Sequence, residues 1–399
     1  MMMETTDTNS EHAQLAGKRV LIIFPHIVTA GGALHYTLRL AEQLQKEGAK
    51  VAILALQVAR SAFPTPEGVE LICLDGPLTS QLRYWLMFPF WQRKINQAVS
   101  CWRADVLVPQ VFPANWWGWF YKKHSRTAKI AWVCHEPSAF IHSLPWIKAL
   151  RPKWMSIAAR LLRPALAATD VSLVRYSDRI IANSQFTADE VKKVYHREVD
   201  AVAYPGIELQ PNGRQKERTE LAIITVARLT KFKRVDFLLQ VFSGLLKSHP
   251  ALKYHIVGTG EEADSLRQMV GKLGLKSQVV FYGAASDKKL GELYNDATLF
   301  LHGSVNEPFG MAPLEAIACG TPVVAHDSGG PREFVDENCG RLIPSLQVDD
   351  WVAQVADYLD LLVANPGLHK VACRSAQRFE WQATLRPAVD TIARLTRDG

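Results

Sequence analysis

Residues 20–56 read VLIIFPHIVTAGGALHYTLRLAEQLQKEGAKVAILAL, and this stretch decides the fold class. Val20 to Phe24 is a continuous apolar run of strand type, followed by a loop from Pro25 to the pair Gly31-Gly32. Leu34, Leu38, Leu40, Ala41 and Leu44 then repeat at helical spacing until Gly48 stops them, and Val51 to Leu56 is a second apolar run. Strand, glycine loop, helix, strand is a βαβ unit, the start of a parallel sheet with helices on its faces.

The alternation continues outward from there. Further buried strands are predicted at 106–109, 130–134, 179–183 and 201–204. At Tyr204-Pro205-Gly206 the pattern breaks into a polar stretch, Gln210 to Glu220, and then restarts with strands at 222–226, 254–258, 279–282, 298–302 and 322–325. A chain of 399 residues exceeds what one compact core usually holds. The reading is therefore α/β: a disordered tail over 1–17, a Rossmann-like domain over 18–205, a second over 206–375, and a terminal helix over 376–399 that returns to the first domain. The helical pattern from Pro152 is expected to end or kink at Pro164, and the terminal one to break near Pro387.

Charge and tryptophan are unevenly spread. Residues 1–200 carry 24 Lys and Arg against 16 Asp and Glu, whereas residues 201–399 carry 22 against 23. Residues 83–163 hold 13 basic residues against Asp105 and Glu136, together with nine of the eleven tryptophans. Six cysteines without a C-x-x-C pair favour reduced thiols over a disulfide framework or a metal site. The polar N-terminus lacks the apolar centre of a signal peptide. The longest uncharged stretches are too short or too broken by proline to span a bilayer.

The chemistry-bearing residues concentrate in the second half. Glu307-Pro-Phe309-Gly310-Met311-Ala-Pro-Leu-Glu315 sets two carboxylates eight apart across a strand-to-helix turn. Free amides at a helix start suit phosphate or sugar oxygens, and carboxylates suit sugar hydroxyls. Arg228 and Lys233 stand five apart after a strand, a fork and a point charge suited to a diphosphate. Gly258-Thr-Gly260 ends a strand, Tyr282 follows another, and Ser328-Gly-Gly-Pro331 opens a turn. In the first half, His135 sits at a strand end in Val133-Cys-His-Glu-Pro137.

Taken together these segments resemble the retaining GT-B glycosyltransferases of family 4, also called glycosyl transferases group 1, whose mark is Glu-x7-Glu. The resemblance covers about residues 18–345. It implies two Rossmann-like domains facing a cleft and transfer of a sugar from a nucleotide diphosphate. Catalytic roles then fall to His135, Glu307, Arg228 and Lys233. Donor contacts fall to Gly31, Gly32, Gly258, Gly260, Tyr282, Phe309, Gly310, Met311 and Glu315. No Asp-x-Asp occurs, so no metal cofactor is expected. The Ser328 turn and the run Arg175 to Phe186 are similar to mannosyltransferases, which favours GDP-mannose over a UDP-sugar.

In such enzymes the first domain binds the acceptor, and that is where the basic, aromatic window lies. Trp116, Trp117, Trp119, Lys122, Lys123, Lys153, Trp154, Arg160 and Arg163 are therefore expected to face an anionic membrane surface and a lipid-linked or glycan acceptor, from the cytoplasmic side. The same rings could equally be domain core. No RNA-binding motif accompanies them, so nucleic acid is not an expected partner. A hydrolase or epimerase of the same architecture, or a silent nucleotide-sugar-binding subunit, are the competing functions.

Overall fold

The structure, a computed structural model, describes residues 14–28, 31–59, 66–125, 127–143, 147, 153–208 and 220–397. The chain forms two compact units: Met1–Pro205 with Thr384–Gly399, and Gly206–Ala383. The change of unit at Pro205 falls at the Tyr204-Pro-Gly break, and the polar linker lies outside the described residues.

The first unit is built on a seven-stranded, all-parallel sheet. Its strands are β1 (Arg19–Ile23), β3 (Lys50–Ala55), β5 (Glu70–Cys73), β6 (Val106–Pro109), β7 (Lys129–Cys134), β8 (Arg179–Ala182) and β9 (Ala201–Val202), ordered 5-3-1-6-7-8-9. A small parallel pair, β2 (His26–Ile27) with β4 (Gln57–Val58), lies apart. Parallel strands are buried on both faces, which is why β1, β3, β6 and β7 read as unbroken apolar runs. The second unit repeats the plan with six strands. They are β10 (Ala222–Val226), β11 (Lys253–Val257), β12 (Val279–Gly283), β13 (Leu299–His302), β14 (Val323–His326) and β15 (Gly340–Ile343), ordered 12-11-10-13-14-15. In each sheet the chain order reverses once, between β1 and β6 and between β10 and β13. At such a switch point the loops leaving the two strands part to opposite faces and leave a crevice at the strand C-termini.

The structure corrects four expectations. The supposed tail is structured at Leu15, which is buried and whose N–H donates to the Glu47 carbonyl at 3.0 Å. The helix from Lys153 runs through Pro164 to Leu173. Pro164 removes one backbone bond, but Leu166, Ala167 and Val171 pack against the core beyond it and hold the helix on course. The terminal helix, Trp381–Arg397, likewise contains Pro387; the break comes earlier, at Glu380. The tryptophans of the helix Ala114–His124 are core, not surface, with Trp117 and Trp119 fully buried and Trp116 nearly so.

The three buried indoles of this helix each have a partner for their one polar atom. Trp117 Nε1 donates to Tyr84 Oη at 2.6 Å, Trp119 Nε1 to Ser177 Oγ at 2.7 Å, and Trp116 Nε1 to Asp170 Oδ1 at 2.5 Å. Asp170 is wholly buried and also accepts from Tyr195 Oη at 2.7 Å and Ser138 Oγ at 3.3 Å, with His142 Nε2 2.8 Å away. It therefore ties four elements to the end of β7. Asp170→Ala strands these donors in the interior, and urea unfolding should show a loss of about 3–5 kcal/mol. A loss under about 1 kcal/mol would remove Asp170 from this organising role.

Candidate active site

The site in the second unit is assembled from loops leaving β10 and β13, the pair flanking the switch point. Arg228 follows β10 and is exposed. Five residues on, Lys233 ends a short 3-10 turn (Lys231–Lys233). From the other side of the switch comes Glu307, whose carboxylate is hydrogen-bonded and ion-paired to the Lys233 ammonium. The second oxygen, Oε2, lies 2.9 Å from Nε2 of His302, the last residue of β13. Burial by itself pushes the Glu307 carboxyl up; Lys233 and His302, by charge and hydrogen bond, outweigh that and hold it well below the usual carboxylate range.

The turn beyond is shaped by close backbone approach. Gly310 caps the helix Met311–Ala318 with φ of 102°, a conformation glycine adopts without a Cβ clash. Gly329 and Gly330 sit against the Glu307 loop: a Cβ on Gly329 would stand 2.4 Å from the Glu307 carbonyl oxygen, and one on Gly330 2.3 Å from the Phe309 Cα. Gly330 N–H donates to that Glu307 carbonyl at 2.8 Å, and the Ser328 hydroxyl accepts from Asn306 N–H at 2.9 Å. The Ser328 turn thus fixes the loop that carries Glu307. Gly258 and Gly260 do the same for Arg228: their missing side chains would strike the carbonyls of Ala227 and Leu229 at 1.9 and 2.2 Å.

Glu315, half-buried in the second turn of the Met311–Ala318 helix, accepts from the Tyr294 hydroxyl at 3.0 Å. Burial raises its carboxyl above the ordinary value, partly offset by that bond. Tyr282 is half-buried, edge-on to the His255 ring at 5.4 Å. Phe309 departs from expectation. Its ring is buried against Phe334 and Phe379, at 5.3 and 6.2 Å, so only its backbone remains for a donor. Met311 is half-buried at the first helical position, its amide among those left unpaired by the helix.

In the first unit, Gly31 precedes the helix Gly32–Lys46 beyond β1, and a side chain there would meet open space. His135 follows β7 and is buried, its Nε2 2.7 Å from Gln110 Oε1 and its ring edge-on to Tyr36 at 5.1 Å. Gln110 Oε1 also lies 2.8 Å from Thr37 Oγ1. Burial drives the His135 imidazole down to about 4, so it is neutral at pH 7.

Of the residues expected to face a membrane, Trp116, Trp117 and Trp119 are core. Lys122 is spent internally, donating to the Ala128 carbonyl at 2.8 Å and Asp178 Oδ2 at 2.9 Å. Arg163 donates from Nε to the Ile141 carbonyl at 3.0 Å. Lys123 and Arg160 are exposed. The side chains of Lys153 and Trp154 lie outside the described residues. Sequence reasoning missed His302, Tyr294 and Asp170. His302 carried one faint signal, a polar residue closing an otherwise apolar strand.

Two predictions come from this geometry. His302→Ala removes the imidazole that lies 2.9 Å from the buried Oε2 of Glu307 and should lower stability in urea by about 1–3 kcal/mol, with His302→Gln recovering part; an unchanged midpoint would show that Lys233 suffices. His135 is held neutral in the fold while the unfolded chain protonates near 6.5. Its contribution is therefore present above about pH 6.5 and lost as pH falls toward about 4, amounting to about 3 kcal/mol at the acid end. His135→Gln should flatten stability against pH across that window; an identical profile would contradict the assignment.

The chain matches the family model Glycosyltransferase Family 4 over residues 30–211 and Glycosyl transferases group 1 over residues 207–366. It is 26% identical over 406 aligned residues to the D-inositol 3-phosphate glycosyltransferase of Saccharomonospora viridis, covering 92% of this chain and 90% of that one. The enzyme of the same name from Streptomyces bingchenggensis is 28% identical over 319 residues, 67% of this chain and 69% of that one. Among solved structures, sucrose-phosphate synthase from Thermosynechococcus elongatus superposes with a TM-score of 0.77 at 19% identity, covering 96% and 98% of the two chains. Anabaena HepE, solved with UDP and glucose, gives 0.71 at 20% identity, covering 94% and 99%. The superpositions span nearly the whole of this chain and of each neighbour, and the two family models run almost end to end along it. The chain belongs to glycosyltransferase family 4 and has the GT-B fold.

Proposed function

We propose that this glycosyltransferase moves a sugar from a nucleotide diphosphate to a hydroxyl acceptor, with retention at the anomeric carbon and without a metal. One observation carries the reading: Lys233 and Glu307, from loops on opposite sides of a sheet switch point, meet as a cation and an ionised carboxylate. Arg228 and Lys233 neutralise the charge that grows on the departing diphosphate. The carboxylate of Glu307 and the free amides at Gly310 and Met311 serve hydroxyls of the transferred sugar, and Glu315 the ribose. His135, neutral and hydrogen-bonding, serves a sugar oxygen, and Gly31-Gly32 the donor phosphates.

For the donor we propose GDP-mannose, on the resemblance of the Ser328 turn and of Arg175 to Phe186 to mannosyltransferases. A UDP-sugar is the second reading, favoured by the UDP bound to Anabaena HepE. The acceptor we propose is a lipid-linked glycan or lipid, in keeping with the basic surplus of the first half of the chain. The relatives' name offers a phosphorylated inositol instead, whose negative charge the same surplus would serve.

A panel of nucleotide sugars, read first by thermal shift and then by transfer in the presence of EDTA, tests the reading. The expected outcome is a rise in Tm with GDP-mannose and transfer that survives chelation. Glu315→Ala should weaken donor affinity by roughly tenfold with a smaller effect on kcat. A shift with UDP-sugars alone would reassign the donor. No shift with any nucleotide sugar, or donor affinity unchanged in Glu315→Ala, would overturn the site.

A further inference from the structure

All eight large hydrophobic side chains standing exposed in the first unit, among the described residues, fall in two short stretches. Leu82, Trp85, Leu86, Met87 and Phe90 lie on the helix Leu82–Leu86, at its junction with the next helix, and at the start of the helix Phe88–Trp102, with Leu86 75% exposed. Ile157, Leu161 and Leu162 lie on the helix Lys153–Leu173, with Leu161 78% exposed. On that helix Ile157, Leu161, Ala165 and Ala168 follow one another at helical spacing and are all exposed. Leu166, Ala167 and Val171 pack against the core from its other side. A helix apolar on both faces is normally covered on both.

The charges around these stretches are of one sign. Arg83, Arg93 and Lys94 are exposed beside the first cluster and Arg160 within the second. No Asp or Glu occurs between Asp75 and Asp105, or between Glu136 and Asp170. Lys94 Nζ sits 5.1 Å from the centre of the Phe90 ring, its stem lying along apolar surface. The helices that carry the two clusters both contact the helix Ala114–His124: the Trp116 ring packs edge-on to Trp85 at 6.4 Å, while its Nε1 donates to Asp170, farther along the second helix. Among the described residues no helix is long and apolar enough to cross a membrane.

We propose that these two clusters seat the first unit on an anionic bilayer, Leu82–Phe90 and Ile157–Leu162 entering the headgroup boundary while Arg83, Arg93, Lys94 and Arg160 meet lipid phosphates. A second copy of the chain would bring cation against cation, whereas an anionic surface satisfies the apolar area and the charge together. The proposal goes beyond the transfer reaction and holds whichever donor is used. It removes Trp116, Trp117 and Trp119 from the contact and rests it on exposed residues of the same basic, aromatic window.

Sedimentation of the full chain with vesicles of phosphatidylcholine containing roughly 30 mol% phosphatidylglycerol tests it, against vesicles of phosphatidylcholine alone. The chain should partition to the anionic vesicles and lose that partition in high salt. The double variant Leu86→Asp, Leu161→Asp should bind about tenfold more weakly at an unchanged Tm, both side chains being exposed. Equal sedimentation of variant and parent, or no binding of the parent to anionic vesicles, would overturn it. So would light scattering that shows a dimer of the parent abolished in the variant, which would assign the clusters to a second copy.

Discussion

Glu307 is a carboxylate taken largely out of water, and the surroundings of the second unit's switch point are arranged to keep it charged. A lone buried carboxylate gives up its charge, because the desolvation cost runs to several kcal/mol. Here Lys233 reaches it from the β10 side and His302 lies against it at the end of β13. Lys233 comes from the loop after β10, while His302 ends β13 and Glu307 lies in the loop that follows it, so their meeting depends on the parallel sheet holding those two strands side by side. The glycines at 329 and 330 extend the same constraint to the backbone, since the loop bearing Glu307 can lie where it does only if nothing projects from the Ser328 turn.

That arrangement has a chemical consequence. Lys233 is half-buried and already engaged, so under the proposed function an incoming diphosphate would meet an ammonium held in place by a carboxylate partner. Arg228, five residues upstream, is the solvent-exposed member of the pair. A cation fixed beforehand suits a leaving group whose charge develops during the reaction, because an orientation already set costs nothing at the transition state.

The fold was legible where one physical demand dominated. The strands β1, β3, β6 and β7 are buried on both faces, so composition alone announces them. The edge strands β5 and β15 are less deeply buried and each carry a charged residue, Glu70 and Arg341, in a four-residue span. Pro164 and Pro387 misled for a related reason: local propensity predicts a break, and tertiary packing overrides it. The site was legible as a linear motif, Glu307 to Glu315 with Arg228 and Lys233. His302, Tyr294 and Asp170 were not, because a polar residue that completes another residue's hydrogen bonds leaves no periodic trace. The basic, aromatic window was legible as a place and misread as a surface. Trp116, Trp117 and Trp119 are core, joined to Asp170, Tyr84 and Ser177, and it is other apolar residues of the window, Leu86 and Leu161 foremost, that stand in solvent.

The central claim is that Lys233, held by Glu307 at the switch point, receives the donor's diphosphate. The most direct measurement is calorimetric titration of GDP and UDP, without any sugar, into the parent chain and into Lys233→Ala. The account predicts that one of the two nucleotides binds the parent and that the substitution weakens it by about tenfold or more, a loss of roughly 1.4 kcal/mol. Equal affinity in parent and variant would contradict it.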